Sequence, residues 1–291
     1  MEWQQMRYVL AVAETKSFTR AAQQCFVVQS SLSQQIKSLE QELGVKLFAR
    51  TSRRVELTEA GAAFLPAARA ALKAADRAAQ DAAAAGGQVC GHLKIGAIPT
   101  LAAVELPEIL GMYCREYPEV TVSLYTASSD ELTRAVADGD ADVAFLGLPA
   151  GAPPPGTEHR LLSREHLLAV LPADHRLADQ ARLSLQELAG ETFADFPSGT
   201  SGRAQSDTAF AAAGLHRRVA FEAMDTALIL DLVREGLAIA LLPPGTVIEA
   251  TDLTARLVSD GPERCEYLTW HTFNPTPASA AFLELVLGGP G

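Results

Sequence analysis

Small and apolar residues recur at helical spacing through the first sixty positions. Met6, Val9, Leu10 and Ala13 give one apolar side to a helix over Met1 to Thr15. Ala21, Ala22, Cys25 and Phe26 mark one face of a second helix, and Leu32, Ile36, Leu39 and Leu43 mark one face of a third. Phe26-Val27-Val28 is too short a connection for anything but direct packing of these two, a helix-turn-helix arrangement. Past Leu47-Phe48, Val55 and Leu57 alternate about Glu56, which predicts a strand hairpin. From Glu59 to about Ala85, Phe64, Ala68, Ala71, Leu72, Ala75 and Ala79 recur at helical spacing. This predicts one helix of roughly 40 Å, capped by Thr58, favoured by Glu59 in its first turn and kinked near Pro66.

Beyond Gly86-Gly87 the period changes. Strand patterns at Leu93–Ile98, Val120–Tyr125, Asp142–Leu146, His166–Leu171, Thr192–Phe196, Ala238–Leu242 and Glu266–His271 alternate with helical ones. The helical patterns are Ala102–Tyr117, Asp130–Ala137, Ser184–Leu188, Gly202–Ala213, Asp225–Arg234 and Ala278–Leu287. Such alternation implies α/β architecture with a mostly parallel sheet. The run from Ala150 to Gly156, rich in Pro and Gly, reads as a rigid surface loop.

The third helix turns outward Gln29, Ser30, Ser31, Ser33, Gln34, Lys37 and Ser38. A face that met only water would more usually carry Glu and Lys. Amide and hydroxyl tips suit the donor and acceptor edges of the DNA major groove, with Lys37 placed for phosphate or guanine. Arg50, Arg53 and Arg54 fall within five residues on the hairpin. Beside such a helix they make a wing for the phosphate backbone or minor groove. A helical hairpin for protein contacts is the blander alternative.

The run resembles the amino-terminal domain of LysR-type transcriptional regulators. The resemblance rests on Ser17-Phe18-Thr19-Arg20-Ala21-Ala22, Leu32-Ser33-Gln34-Gln35-Ile36, Leu39-Glu40, Glu42-Leu43-Gly44-Val45, Leu47-Phe48, Arg50-Thr51 and Leu57-Thr58-Glu59-Ala60-Gly61. Val28 and Ser30 stand where that family usually has a capping Ser and a Pro, so the cap is expected to move to Ser30 or Ser31 or the helix start to fray. Gln34 stands where Arg is common. The DNA-binding candidates are Thr19, Arg20, Gln29, Ser30, Ser31, Ser33, Gln34, Lys37, Arg50, Arg53 and Arg54.

More weakly, Leu132, Val136, Gly139, Asp142, Ala144 and Leu241-Leu242-Pro243 resemble the same family's effector domain. The implied organisation is a winged helix-turn-helix over 1–58, a dimerising linker helix over 59–87 and an effector-binding domain over 88–291. The last has the bilobed α/β fold of periplasmic solute-binding proteins. Lobe I takes about 88–161 and 267–291 and lobe II about 162–266, with crossings near Leu161–Ser163 and Arg264–Tyr267. A plain spacer is the alternative for the linker helix.

Ligands of open α/β sheets collect beyond the carboxyl ends of the strands. Here those ends offer Pro99, Thr100, Ser128, Ser129 and Gly147 from one lobe and Ser198, Gly199, Thr200, Gly202, Arg203 and Thr226 from the other. Thr100, Ser128 and Thr226 are read at helix starts, which attract anions, and Arg203 as a charge partner. The expected ligand is a small anionic or polar metabolite. Ordinary N-capping is the alternative for each hydroxyl taken singly.

A length of 291 residues fits about two domains. The net charge of -11 looks wrong for a DNA binder, but residues 1–60 hold eight Lys or Arg and six Glu, a balance of +2, leaving -13 elsewhere. Cys25, Cys90, Cys114 and Cys265 are scattered, which fits a reducing cytoplasm and no structural zinc. One branch of the resembled family senses peroxide through a cysteine pair, but Ser198 to Ala212 contains no Cys. The start does not read as a signal peptide, and no apolar run is long enough to cross a membrane.

None of the six histidines has metal-ligand spacing, and neither a Gly-x-Ser-x-Gly elbow nor a P-loop is present. The chain is therefore read as a regulator rather than an enzyme or a ligand carrier, with no cofactor. Its expected partners are double-stranded DNA, a small-molecule effector, a second copy of itself in a homodimer or homotetramer, and RNA polymerase.

Overall fold

The structure, a computed structural model, describes residues 1–50, 55–247, 252–271 and 275–288. Its contacts separate into two units, Met1–Gly87 and Gln88–Gly291.

In the first unit, α1 (Trp3–Thr15), α2 (Phe18–Gln24) and α3 (Gln29–Leu43) enclose a core of Val9, Val12, Phe18, Ala21, Leu32, Ile36 and Leu39. Ser17 caps α2 by accepting the Arg20 N–H. The expected shift of the α3 cap to Ser30 or Ser31 does not occur. Val28 is the N-cap, without a side-chain hydrogen bond, and the helix starts at Gln29. Leu43, in the last turn, and Phe26, past the end of α2, are exposed rather than packed.

Glu40 fastens α3 to the hairpin. Its buried carboxylate accepts the N–H groups of Leu47 (2.9 Å) and Phe48 (3.3 Å) and pairs with Lys46 (2.7 Å). Strands β1 (Phe48–Arg50) and β2 (Val55–Leu57) pair antiparallel, Phe48 opposite Leu57. The long helix α4 (Glu59–Ala85) runs through Pro66, and Thr58 caps it through the Gly61 N–H. Its first half is not without a partner, because Leu65, Ala68 and Leu72 are buried and Met6 of α1 packs on Ala68 and Leu72. Ala71, beside Leu72, and Ala79, farther along, stay exposed.

The second unit contains a five-stranded sheet in the order β4-β3-β5-β13-β6. Its strands are β3 (Gly91–Ala97), β4 (Val120–Thr126), β5 (Val143–Pro149), β6 (Glu158–His166) and β13 (Glu263–Trp270). The helices α5 (Leu106–Glu116), α6 (Ser129–Ala137) and α10 (Pro277–Gly288) belong to the same lobe. The other lobe holds a four-stranded sheet, β11-β7-β12-β8, and the pair β9-β10. These are β7 (Leu168–Pro172), β8 (Arg182–Leu183), β9 (Thr192–Asp195), β10 (Arg218–Glu222), β11 (Ala240–Leu242) and β12 (Leu253–Val258), with α7 (Leu185–Leu188), α8 (Ser201–Ala212) and α9 (Thr226–Arg234).

The expectation of a mostly parallel sheet holds for β3, β4 and β5 in the first lobe and for the pairs β9–β10 and β8–β12 in the second, while β7 pairs antiparallel with both β11 and β12. The strand β13 runs antiparallel to both β5 and β6, because the chain leaves the first lobe along β6 and returns along β13. Leu161–Ser163 and Arg264–Tyr267, read as the crossings, therefore lie inside paired strands of one sheet. Helix α5 starts later than Ala102, at Leu106, where Pro107 suits the first turn. The N–H groups of Ala102 and Ala103 point instead to a carboxylate described below.

Candidate functional site

On α3 the polar face is where helical spacing puts it. Gln29, Ser30, Ser31, Gln34 and Lys37 are exposed and Ser33 is half-buried, with the Gln29 amide donating to the Ser33 hydroxyl at 2.8 Å. Thr19 and Arg20, at the start of α2, are exposed as well. The Arg20 guanidinium is tethered to the Thr15 carbonyl. These side chains present donors and acceptors without burying them, as groove readout requires. Arg53, Arg54 and the Arg50 side chain lie outside the described residues.

In the second unit a cleft opens between the lobes, a cavity of about 30 Å³, with room for roughly two waters. Pro99, Thr100, Ser128, Ser129 and Gly147 line it from one lobe and Thr200 and Gly202 from the other. Ser198 and Thr226 do not line it. Gly199 and Arg203 belong to a neighbouring groove beside Asp130. Of the three hydroxyls read at helix starts, Ser128 is an N-cap, bonded to Glu131 in a capping box. Thr100 instead sits in the turn after β3, and Thr226 follows the true cap, Asp225.

The cleft's cation is Arg264 on β13, not Arg203. The buried Arg264 guanidinium donates to the Thr100 hydroxyl (2.8 Å), the Thr100 carbonyl (2.9 Å) and Glu165 (2.9 Å), and also pairs with Glu266. Glu266 is fully buried and accepts the N–H groups of Ala102 and Ala103 (2.8 Å to Ala103). Burial pushes the Glu266 carboxyl above its ordinary range, and the Arg264 charge and the two N–H groups only partly oppose this. A Cβ on Gly147 would press on Ile98 (2.9 Å) and on the Arg264 guanidinium (3.3 Å), so glycine there keeps the floor of the cleft open.

Arg203 turns away into lobe II, held by Asp207 (3.0 Å) and Glu222 (2.9 Å). Its neighbour Arg217 is buried against Asp195 (2.6 Å) and over the rings of Phe193 and Phe210. Burial raises the Asp195 carboxyl despite that guanidinium. These charges are paired within one lobe, although Arg217 Nη1 and Asp195 Oδ2 have no hydrogen-bond partner among the described residues, and Arg203 is left with little to offer a ligand.

Among the described residues, polar contacts from α6 and α8 link the lobes across the cleft. Asp130, on α6, takes both the N–H and the hydroxyl of Ser201 at the start of α8. Gln205, on α8, donates to the Gly147 carbonyl at 3.2 Å. The Ser129 hydroxyl exchanges hydrogen bonds with the same glycine.

The family model "Bacterial regulatory helix-turn-helix protein, lysR family" matches residues 3–62, and "LysR substrate binding domain" matches residues 86–289. The chain belongs to the LysR family of transcriptional regulators. Among its relatives, the HTH-type transcriptional regulator ShiR of Corynebacterium glutamicum (strain R) is 36% identical over 263 residues, 88% of each chain. The transcriptional dual regulator GltC of Bacillus subtilis (strain 168) is 35% identical over 251 residues, 86% of this chain and 83% of that one. Full-length CbnR, solved in complex with its target DNA, superposes over 100% of both chains with a TM-score of 0.72 and 28% identity.

As a LysR-type protein the chain is a DNA-binding transcriptional regulator with an effector-binding domain, and not an enzyme. No helix among the described residues is long and apolar enough to cross a membrane. Within the regulator's cleft, sequence reasoning missed Arg264, Glu266 and Gln205. The signal present for the first two was their spacing of two on a strand, which puts both side chains on one face.

Proposed function

We propose that this regulator reads duplex DNA with the Ser/Gln face of α3 and alters its arrangement on that DNA when a small polar or anionic metabolite binds between its lobes. For DNA contact, Gln29, Ser30, Ser31, Ser33 and Gln34 face base edges. Thr19, Arg20 and Lys37 face phosphates, and Arg50, Arg53 and Arg54 grip the backbone or minor groove from the wing. The linker helix over 59–87 joins two copies through the alanine stripe beyond Leu72. A homodimer then reaches major-groove faces about 34 Å apart, and two dimers make a tetramer. The cytoplasm is the compartment in which such a chain meets DNA and RNA polymerase.

The observation that carries the effector reading is Arg264. It is a buried guanidinium on the floor of a cleft whose other walls bear Thr100, Ser128, Ser129 and Thr200. A ligand bearing hydroxyls or a carboxylate can exchange hydrogen bonds with Thr100 and Glu165 around it. At about 30 Å³ the cleft is too small for a metabolite, so one enters with some separation of the lobes. It shifts the regulator only by binding one lobe arrangement better than the other.

The test is a thermal-shift screen of hydroxy acids, amino acids and sugar acids on the full chain, followed by DNA footprinting with each hit. A footprint whose length changes with the hit supports the proposal. Hits that leave footprint and transcription unchanged count against it.

A further inference from the structure

The turn between α2 and α3 contains a residue that folding alone does not explain. Val27 N–H bonds to the Ala22 carbonyl (3.0 Å) and Phe26 N–H to the Gln23 carbonyl (3.1 Å). This is a Schellman motif, in which the residue after the cap adopts a left-handed backbone conformation and is usually Gly or Asn. Here that residue is Phe26, at φ 55°. A bulky side chain is disfavoured in that conformation. Its neighbours Cys25 and Val27 pack on the core, which fixes the backbone and directs the Phe26 ring outward, where it is 96% exposed. The chain thus carries an unfavourable backbone choice and an almost fully exposed aromatic ring, with next to no packing among the described residues in return. The position is three residues before Gln29, at the amino-terminal end of the helix that reads DNA. In helix-turn-helix proteins that end meets base edges, and the thymine 5-methyl is the apolar group exposed there.

We propose that Phe26 is a specificity-determining residue that seats its ring against a thymine methyl in the major groove beside the start of α3. This rests on the DNA-reading role proposed above. The arrangement extends the polar face of α3 with one apolar contact, so the preferred site carries a thymine that uracil cannot replace.

The experiment uses the full chain and a duplex recovered from a random-sequence pool. Each thymine of that duplex is replaced in turn by deoxyuridine, which removes only the methyl group. Wild type is expected to lose about fourfold in affinity at one thymine of each half-site, the effect of leaving one methyl-sized group unburied. Phe26→Asn is expected to bind the unmodified duplex more weakly and to show no loss at that thymine. Because Asn suits a left-handed turn, its melting temperature is expected to equal or exceed that of wild type. The proposal is overturned if wild type and Phe26→Asn show the same deoxyuridine profile, as they would if the ring served a protein partner. It is overturned equally if the variant weakens selected and random duplexes alike, as a backbone contact would. Binding of the unmodified duplex by wild type reports separately on DNA recognition, and its absence would overturn both readings.

Discussion

The Asp130 carboxylate of one lobe lies 2.7 Å from the Ser201 backbone N–H and 2.8 Å from its hydroxyl in the other. Helix α8 begins at Ser201, so an internal carboxylate occupies an N-terminus that would otherwise be open to an anion. Asp130→Ala is expected to loosen lobe closure. Amide exchange at Ser201 and the first turn of α8 should quicken about fivefold, equivalent to ~1 kcal/mol for an exposed charge-assisted pair. Hydrogen exchange measured by mass spectrometry checks this, and unchanged protection of α8 would show that the contact does not hold the lobes.

Arg264 and Glu266 form a buried pair in which each partner needs the other. Arg264→Ala leaves Glu266 with only two backbone donors and is expected to destabilise the chain by about 3–5 kcal/mol. Adding Glu266→Gln should return a large part of that loss, because the uncompensated charge is gone. Urea unfolding of the single and double variants measures the coupling; additive losses would mean that the two side chains do not act as a pair.

Glu40 makes the hairpin's attachment dependent on pH. Burial raises its carboxyl, but Lys46 and the N–H groups of Leu47 and Phe48 more than offset this, and the net shift is below the ordinary glutamate value of 4.5. A group depressed in the folded state stabilises above its unfolded value and loses that contribution as pH falls through the folded value. Wild type should therefore lose more stability than Glu40→Gln between neutral pH and values below 4.5. At neutral pH Glu40→Ala is expected to cost about 2 kcal/mol by leaving buried N–H groups unpaired. Melting temperatures across pH provide the check, and parallel curves for wild type and Glu40→Gln would contradict it.

Gly61 lies where α4 meets the hairpin. A Cβ there would fall 2.1 Å from the Leu47 carbonyl oxygen, which also accepts the Thr58 N–H. Gly61→Ala is expected to destabilise by about 1–3 kcal/mol through overpacking. Gly111→Ala, whose Cβ would meet only the Arg115 guanidinium at 3.5 Å, should be neutral or slightly stabilising. Chemical denaturation of both variants separates strain from helix propensity.

What could be read ahead of the structure followed local periodicity. Leu32, Ile36 and Leu39 are spaced as one helical face, and all three are fully buried. Phe26 follows the same spacing but lies beyond the end of α2, where a left-handed residue breaks the helical rotation and the spacing no longer predicts a direction. Strand β6 escaped notice because its sequence, Glu-His-Arg-Leu-Leu-Ser-Arg-Glu-His, lies at a sheet edge and carries charge with no apolar alternation. Strand ends located most of the cleft, since Pro99, Thr100, Ser128, Ser129 and Gly147 all line it. Its cation was legible only as a spacing of two with Glu266 on one strand. Arg264 is held in the cleft by Thr100 and Glu165, 164 and 99 residues away in the chain, so its place there comes only with the fold. Arg203 looked available because Asp207 and Glu222, which hold it, come together only when α8 and β10 fold.

The role of α3 is tested most directly by titrating the full chain with a selected duplex and a scrambled one from about 50 to 200 mM salt. The variants are Gln34→Ala and Arg53→Ala. The account predicts that Gln34→Ala loses about tenfold in discrimination with an unchanged salt slope. Arg53→Ala should weaken both duplexes alike and lower the slope by about one. Equal losses on both duplexes for both variants would contradict the assignment of α3 as the element that reads sequence.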